Sequence, residues 1–437
     1  MKITLIIVPL LLLLQTESAA ESIGSEEKQR IEEKTLPDNI LKLEEVIKTA
    51  LEANPSLKSF ESRWKASSAA VPQAGAWTDP VVRFSLMNLP STTYAFDEEP
   101  MTGKQLTLMQ RVPFPGKLSA KKAAMGYESS ARENEYHEVS NMIISEVKQA
   151  YYDLFYFYRA VQITDNNRGI LSSFVDIAQT KFSVGRGIQQ DVLRAKVELS
   201  KMDEKLVTFK RKKMTLKTRL NTLMDRPADT QIDKIEEILK TSHDYSEESL
   251  LPKAKNSRPI LKAASDRISS KQEMLKNARR NYFPDFNMGV SYTQREELSS
   301  SGLGGVDFLS ASVGITIPLY TGSKQSKKVE EIKALQRMSE EKYLSVLNEV
   351  EFEIRDLLLR SKEKSELLDL FDNLIIPQAK LSLNSAISGY QVGKVDFLTL
   401  LDNEIILFNY QLKRNRILVD HEKILAILES MVGELLF

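Results

Sequence analysis

Few residues in this chain have side chains able to do chemistry. Its 437 residues include three histidines (His137, His243 and His421), thirteen methionines and no cysteine. The histidines are far apart and none has ligand spacing, so no zinc site is expected. The methionines are scattered, which fits core packing better than a soft-metal relay. Without cysteine there is no disulfide and no thiol chemistry. No G-x-S-x-G elbow and no phosphate-binding glycine loop is present. "GLGGVD" at 302–307 lies in a polar connection and opens no helix, so it is not a nucleotide loop. The reading is therefore a protein without catalytic residues, metal or cofactor. Its work must be done by shape and charge.

Sixty Lys and Arg balance sixty Asp and Glu. That balance gives no basic footprint for nucleic acid. The first residues, "MKITLIIVPLLLLLQTESAA", combine one lysine, a short apolar run and small residues before a cleavage point after Ala20. This is the pattern of a secretory signal peptide over 1–20, too short to span a bilayer, with an N-terminal anchor helix as the alternative reading. No later run is apolar enough for a transmembrane helix. An exported chain of this kind can enter a bilayer only through strands that close into a barrel.

The chain repeats itself. "EANPSLK" around Pro55 matches "KNSRPILK" around Pro259, and "AWTDPVVRFSL" around Pro80 matches "NYFPDFNMGV" around Pro284. "VPFPGKLSAKK" around Pro113 matches "IPLYTGSKQSKK" around Pro318, and the Gly185 region matches the Gly393 region. The order is the same and the offset is nearly constant. The expected organisation is a charged leader at 21–42, a first repeat at 43–224, a joining segment at 225–251 and a second repeat at 252–437. Each repeat reads as a helix (43–70; 252–280), a strand pair (81–89 with 104–112; 285–294 with 308–317), a long helix (118–183; 323–388) and, past a glycine turn, a last helix (190–223; 396–432). Ser119 and Ser323 are read as N-caps of the long helices.

Helices of roughly 66 residues would extend ~100 Å and must pack laterally. Helical pattern alone would allow a coiled-coil scaffold or adaptor without a pore. The strands argue against it. In "FNMGVSYT" and "FLSASVGITIPL" apolar and small polar residues alternate with the strand period. Met288, Val290, Tyr292, Ala311, Val313 and Ile315 are read as facing lipid. Asn287, Ser291, Thr293, Ser310, Ser312 and Thr316 are read as facing a water-filled lumen. The first pair is less regular, with Arg83, Ser85 and Met87 alternating with Val82, Phe84 and Leu86. Four strands of 8–10 residues suit a membrane span but cannot close a barrel. Oligomerisation is the simplest remedy, and three copies would supply twelve strands.

These landmarks resemble the TolC-type outer-membrane factor (outer membrane efflux protein) family. The resemblance rests on the duplicated halves with "ALEANPSL", "VPFPGK", "IPLYTGSKQSKKVEEIKAL", "FSVGRGIQQDVLRAKVEL" and "YQVGKVDFLTLLDNEIIL". It implies a mainly α homotrimer, with a twelve-stranded β-barrel in the outer membrane continued by a helical tunnel across the periplasm. It implies an exit duct working with a periplasmic adaptor (membrane fusion) protein and an inner-membrane pump of the RND type. "VPFPGK" is similar to the branch paired with heavy-metal RND pumps, with export of drugs, other organic solutes or protein left open. The family also implies a periplasmic gate at the glycine turns, placing acidic rings at Asp191 and Asp402 and a closing contact at Tyr390. Thr399 stands where the family often has a second acid. The competing reading makes Asp191 and Asp402 plain first-turn acids beside a helix dipole.

Overall fold

The computed structural model describes residues 41–232, 234–302 and 305–437. The expected signal peptide and the leader up to residue 40 lie outside the described residues. Helix dominates. In chain order the elements are α1 Leu43–Ala53, α2 Pro55–Gly75, β1 Val81–Met87, β2 Gly103–Val112, α3 Lys117–Ser183 and α4 Gln189–Leu223. The second half follows with α5 Glu247–Ser257, α6 Pro259–Arg280, β3 Asp285–Gln294, β4 Phe308–Thr316, α7 Ser326–Leu370, α8 Ile376–Gln391 and α9 Phe397–Val432. No described helix is long and apolar enough to cross a membrane.

The expected strands are present within a few residues of their expected ends. Several helices differ from expectation, each for a local reason. The helix expected at 43–70 is two helices, because Pro55 starts a new one and Asn54 caps it. Asn54 Oδ1 accepts the Ser56 and Leu57 N–H groups at 2.9 and 3.3 Å. The helix expected from 252 begins at Glu247 and breaks again before Pro259, with Arg258 extended. A residue before proline is pushed out of the helical region. The helix expected unbroken over 323–388 contains a π turn at Phe371–Ile375, just ahead of Pro377. Proline has no N–H for the helical ladder, and the widened turn accommodates the missing bond. A second π turn, Thr321–Gln325, precedes α7 and contains Ser323. Ser119 lies inside the first turn of α3, donating to Gly116 O at 3.0 Å. Neither serine is an N-cap.

The described residues form two compact units, each drawing on both halves of the sequence. The first comprises 41–52, Ala150–Leu239 and Leu374–Val419. Its core gathers Leu171, Phe174, Val192, Met202, Tyr390, Phe397, Leu401 and Phe408 from four helices. The joining segment is anchored here. Leu41 pairs with Ile235, and the Tyr151 hydroxyl donates to Leu41 O at 2.7 Å while accepting the Glu236 N–H at 3.0 Å. Burial pushes the Tyr151 phenol up to about 12.

The second unit comprises Ala53–Gln149, Lys240–Asn373 and Asp420–Phe437. It holds an antiparallel sheet in the order β1-β2-β3-β4 and a helical core of Leu250, Leu261, Ile354, Leu357, Leu428 and Val432. The outer edges of β1 and β4 have no partner strand among the described residues.

Candidate functional site

The strand register sorts the sheet into two faces. Val82 pairs with Leu108, Leu108 with Val290 and Val290 with Ala311. Phe84 pairs with Leu106, Leu106 with Tyr292 and Tyr292 with Leu309. Met288 pairs with Val313 and Phe286 with Ile315. Side chains of paired residues share a face, so these residues form one continuous apolar surface. Most of it is bare: Phe84 is 65% exposed, Leu309 77% and Val313 71%. The opposite face carries Arg83, Ser85, Gln105, Thr107, Asn287, Ser291, Thr293, Ser310, Ser312 and Thr316. An exposed apolar surface this continuous marks contact with another protein or with lipid. All six residues read as lipid-facing lie on the apolar face, and all six read as lumen-facing lie on the other.

A charged lock holds the sheet to α3. Asp285 at the start of β3 accepts bonds from Lys117 Nζ at 2.7 Å, Arg111 at 2.8 Å and the Phe114 N–H at 2.9 Å. Lys117 also donates to Phe283 O at 2.8 Å, and the Phe114 and Phe283 rings stack at 4.5 Å. Gly116 has φ +87°, and a Cβ there would meet the Arg280 guanidinium at 2.7 Å. "VPFPGK" thus has a complete structural role at this bend.

The helical end of the first unit is built from two equivalent turns. Gly185 and Gly393 have φ of +72° and +76°, a region costly to any residue with a Cβ. At each, the next residue's N–H reaches back to close the helix. Arg186 donates to Lys181 O at 2.8 Å and Lys394 to Gly389 O at 2.9 Å. Asp191 lies in the first turn of α4, whose N-cap Ile188 offers no side-chain bond. Burial raises the Asp191 carboxyl above the usual range, and the charge of Asp396 adds to this. Burial also raises the Tyr390 phenol, with a contribution from Asp191. Asp191, Tyr390 and Asp396 therefore sense one another.

Tyr390 is in the core, 9% exposed, with its ring 5.7 Å from that of Phe397. Lys181 closes over it, Nζ 3.6 Å from the ring centre and 3.2 Å from Tyr390 O. Asp402 lies beyond the first turn of α9, exposed and without an ion pair or hydrogen bond among the described residues. The first-turn reading therefore does not hold for Asp402, whereas Asp191 does occupy a first turn. The cap of α9 is Asp396, whose Oδ1 accepts the Thr399 N–H at 2.7 Å. Sequence reasoning missed Asp396 and Lys181. The "GKVD" before α9 was the available signal for Asp396, since Asp is a strong N-cap. Nothing pointed to Lys181. Among the described residues no cluster of three or more His, Asp or Glu could hold a metal ion.

A four-stranded sheet with one bare apolar face and free edges, joined to long helices, defines a membrane-channel subunit. A family model described as outer membrane efflux protein matches residues 46–225 and 250–433. The chain belongs to the outer membrane efflux protein family. It is similar in fold to the outer membrane protein VceC of Vibrio cholerae, with a TM-score of 0.77 and 19% identity over 90% of this chain and 96% of that one. The CmeC outer membrane channel of Campylobacter jejuni gives 0.74 and 16% over 90% and 85%. The open state of the MtrE outer membrane channel of Neisseria gonorrhoeae gives 0.72 and 16% over 90% and 89%. No curated protein sequence matches significantly. The chain is an outer-membrane efflux channel, seated in the outer membrane.

Proposed function

We propose that three copies close their sheets edge to edge into a twelve-stranded barrel and act as a passive exit duct with no chemistry of their own. The bare apolar face of the sheet carries this reading. In lipid an open edge would leave backbone groups unpaired, so β4 of one copy pairs with β1 of the next. Met288, Val290, Tyr292, Ala311, Val313 and Ile315 then meet lipid. Asn287, Ser291, Thr293, Ser310, Ser312 and Thr316 line water. The duct receives its cargo from a periplasmic adaptor and an inner-membrane pump, of RND type by family resemblance. Asp191, Tyr390 and Asp402 belong to its periplasmic gate. Exposed and unpaired among the described residues, three copies of Asp402 would form an acidic ring that attracts cations.

Single-channel recording tests this. The purified protein should conduct, and Asp402→Ala should lower cation selectivity and divalent-cation block. Unchanged selectivity and block in an intact trimer would remove Asp402 from the gate. Crosslinking in cells followed by co-purification should recover an adaptor and a pump, and recovery of neither would reject those partners.

A further inference from the structure

Two of the three histidines, distant in sequence, meet in the second unit. His243 lies on the joining segment and His421 on α9. Their rings stack with centroids 6.2 Å apart and planes inclined by 22°. His421 is 1% exposed, with Nδ1 2.9 Å from Glu422 Oε1.

Residues 240–245 cross α7 and α9 as a strap along which exposure alternates. Thr241, His243 and Tyr245 turn inward, while Lys240, Ser242 and Asp244 face water. Each inward residue has an anchor. The Thr241 N–H and hydroxyl donate to the two Glu422 carboxylate oxygens at 2.9 and 2.7 Å. His243 Nε2 is 2.8 Å from Ser361 Oγ on α7. The Tyr245 hydroxyl donates to Leu436 O at 3.2 Å. The rings of Tyr245 and Phe437 enclose His243 at 6.2 and 5.6 Å.

One atom in this arrangement is unprovided for. His243 Nδ1 is buried without a hydrogen-bond partner among the described residues. In the neutral ring with its proton on Nε2, Nδ1 is a bare lone pair, which an aromatic surrounding tolerates. A second proton would make it a buried donor with no acceptor, on a cation facing another imidazole. An orphaned buried donor bears its full desolvation cost.

We propose that residues 240–245 are an acid-released strap, docked on α7 and α9 while His243 is neutral and freed when His243 is protonated at Nδ1. The groups around the ring divide. Burial opposes the proton most, and His421 on α9 opposes it too. Glu422 on α9 and Asp244 on the strap favour it. α7 contributes the neutral Ser361 hydroxyl. Lys253 is one ring further out, 5.3 Å from the Tyr245 centroid, and Lys240 is paired with Asp369 at 2.8 Å. Burial and His421 prevail, and the ring titrates below the ordinary histidine range. A histidine depressed on folding contributes stability that is complete above its ordinary value and is lost as pH falls below it. The strap is the connection between the two repeats and lies outside the four strands, so acidity on the water-facing part of the channel would loosen that connection.

Hydrogen exchange on the full chain in detergent tests the proposal, at neutral pH and about pH 5.5, with rates corrected for intrinsic pH dependence. Acid should speed exchange of the 238–246 peptide several-fold, up to about ten-fold, relative to the β3 peptide. An unchanged strap, or equal acceleration in both peptides, would overturn it. His243→Phe stacks but takes no proton and should abolish the acid response. Should that variant dock poorly and exchange fast at both pH values, His243→Gln decides by the same criterion. An acid response that persists in the docked variant assigns the trigger elsewhere and overturns the proposal. His421→Phe removes a group that opposes the proton on the docked ring, so it narrows the gap between docked and free histidine, and the opening should weaken and move to lower pH. An unmoved midpoint would equally count against the strap.

Discussion

The two halves of the chain do the same tasks with different parts. In the first half the strands mix charge with apolar residues, as Arg83, Lys104 and Arg111 show. The turn into α3 is locked by the Lys117–Asp285 pair, and α3 then runs unbroken for 67 residues. In the second half the strands alternate more regularly, the turn into α7 is a π turn, and a second π turn interrupts the helix before Pro377. The lesson concerns where rigidity comes from. A buried charged junction accompanies an uninterrupted helix, whereas a widened turn accompanies a helix that a second widened turn interrupts.

The largest effect should come from the sheet, where the second half is the purer. In the proposed barrel Val313→Arg places a charge in lipid and should cost ~2–4 kcal/mol. Ser312→Arg turns its charge to water and should be far milder. In the first half Leu86 pairs with Lys104 near a strand end. Leu86→Arg should therefore cost only about 0–1 kcal/mol, because the penalty falls towards the interface. Heat-modifiable trimer bands and denaturant unfolding in detergent would rank the three. Equal tolerance of Val313→Arg and Ser312→Arg would reject the assignment of faces.

The long helices give the next effect. Pro377 lies as far before Gly393 as Gly169 lies before Gly185, so the two positions correspond. Gly169→Pro would impose a proline on a helix that has no π turn, at about 3 kcal/mol or more. Gly169→Ala should do the opposite, adding about 0.5–1 kcal/mol, since a Cβ there meets nothing within 4 Å. Thermal unfolding would separate them. A tolerated Gly169→Pro would mean that α3 can widen a turn as readily as its counterpart.

At the reversals the halves should become alike. Neither Gly185 nor Gly393 has an atom within 4 Å of an added Cβ. Alanine at either should therefore cost only the left-handed backbone strain, about 1 kcal/mol, and the two values should agree. A much larger loss at one turn in the assembled channel would reveal a neighbour that the single chain does not contain.

Sequence made the local features legible. The strands and both turn glycines stand close to where alternation and glycine placed them, because period and backbone freedom are properties of neighbouring residues. What failed was of two kinds. The breaks at Asn54, Arg258 and Phe371 were signalled by Pro55, Pro259 and Pro377, but a long helical pattern concealed them. The stack of His243 on His421, the hold of Lys181 on Tyr390 and the Asp285 lock depend on long-range packing, which spacing along the chain does not encode. Asp402 was singled out by resemblance alone, and its exposed, unpaired position in α9 has no signature in the residues beside it.

The smallest effects separate the two turn acids, and they should have opposite signs. Burial, together with the charge of Asp396, raises the Asp191 carboxyl on folding. The folded state then holds that proton more tightly than the unfolded chain. Its contribution is therefore best below the ordinary Asp range and declines as pH rises through it. Asp396 is lowered by the hydrogen bonds of its cap to Thr399. Its contribution is present above the ordinary range and is lost as pH falls. Asp191→Asn should thus raise the melting temperature at neutral pH and leave it unchanged in strong acid. Asp396→Ala should lower it at neutral pH and converge with the parent protein in acid. Asp396→Ala also removes the charge beside Asp191, so the Asp191 titration should move down towards its ordinary value in that variant. Melting curves across the acid range, read as differences from the parent, would show the two signs. Should both variants shift stability in the same direction, the two acids would share one environment, and the turns would differ in sequence alone.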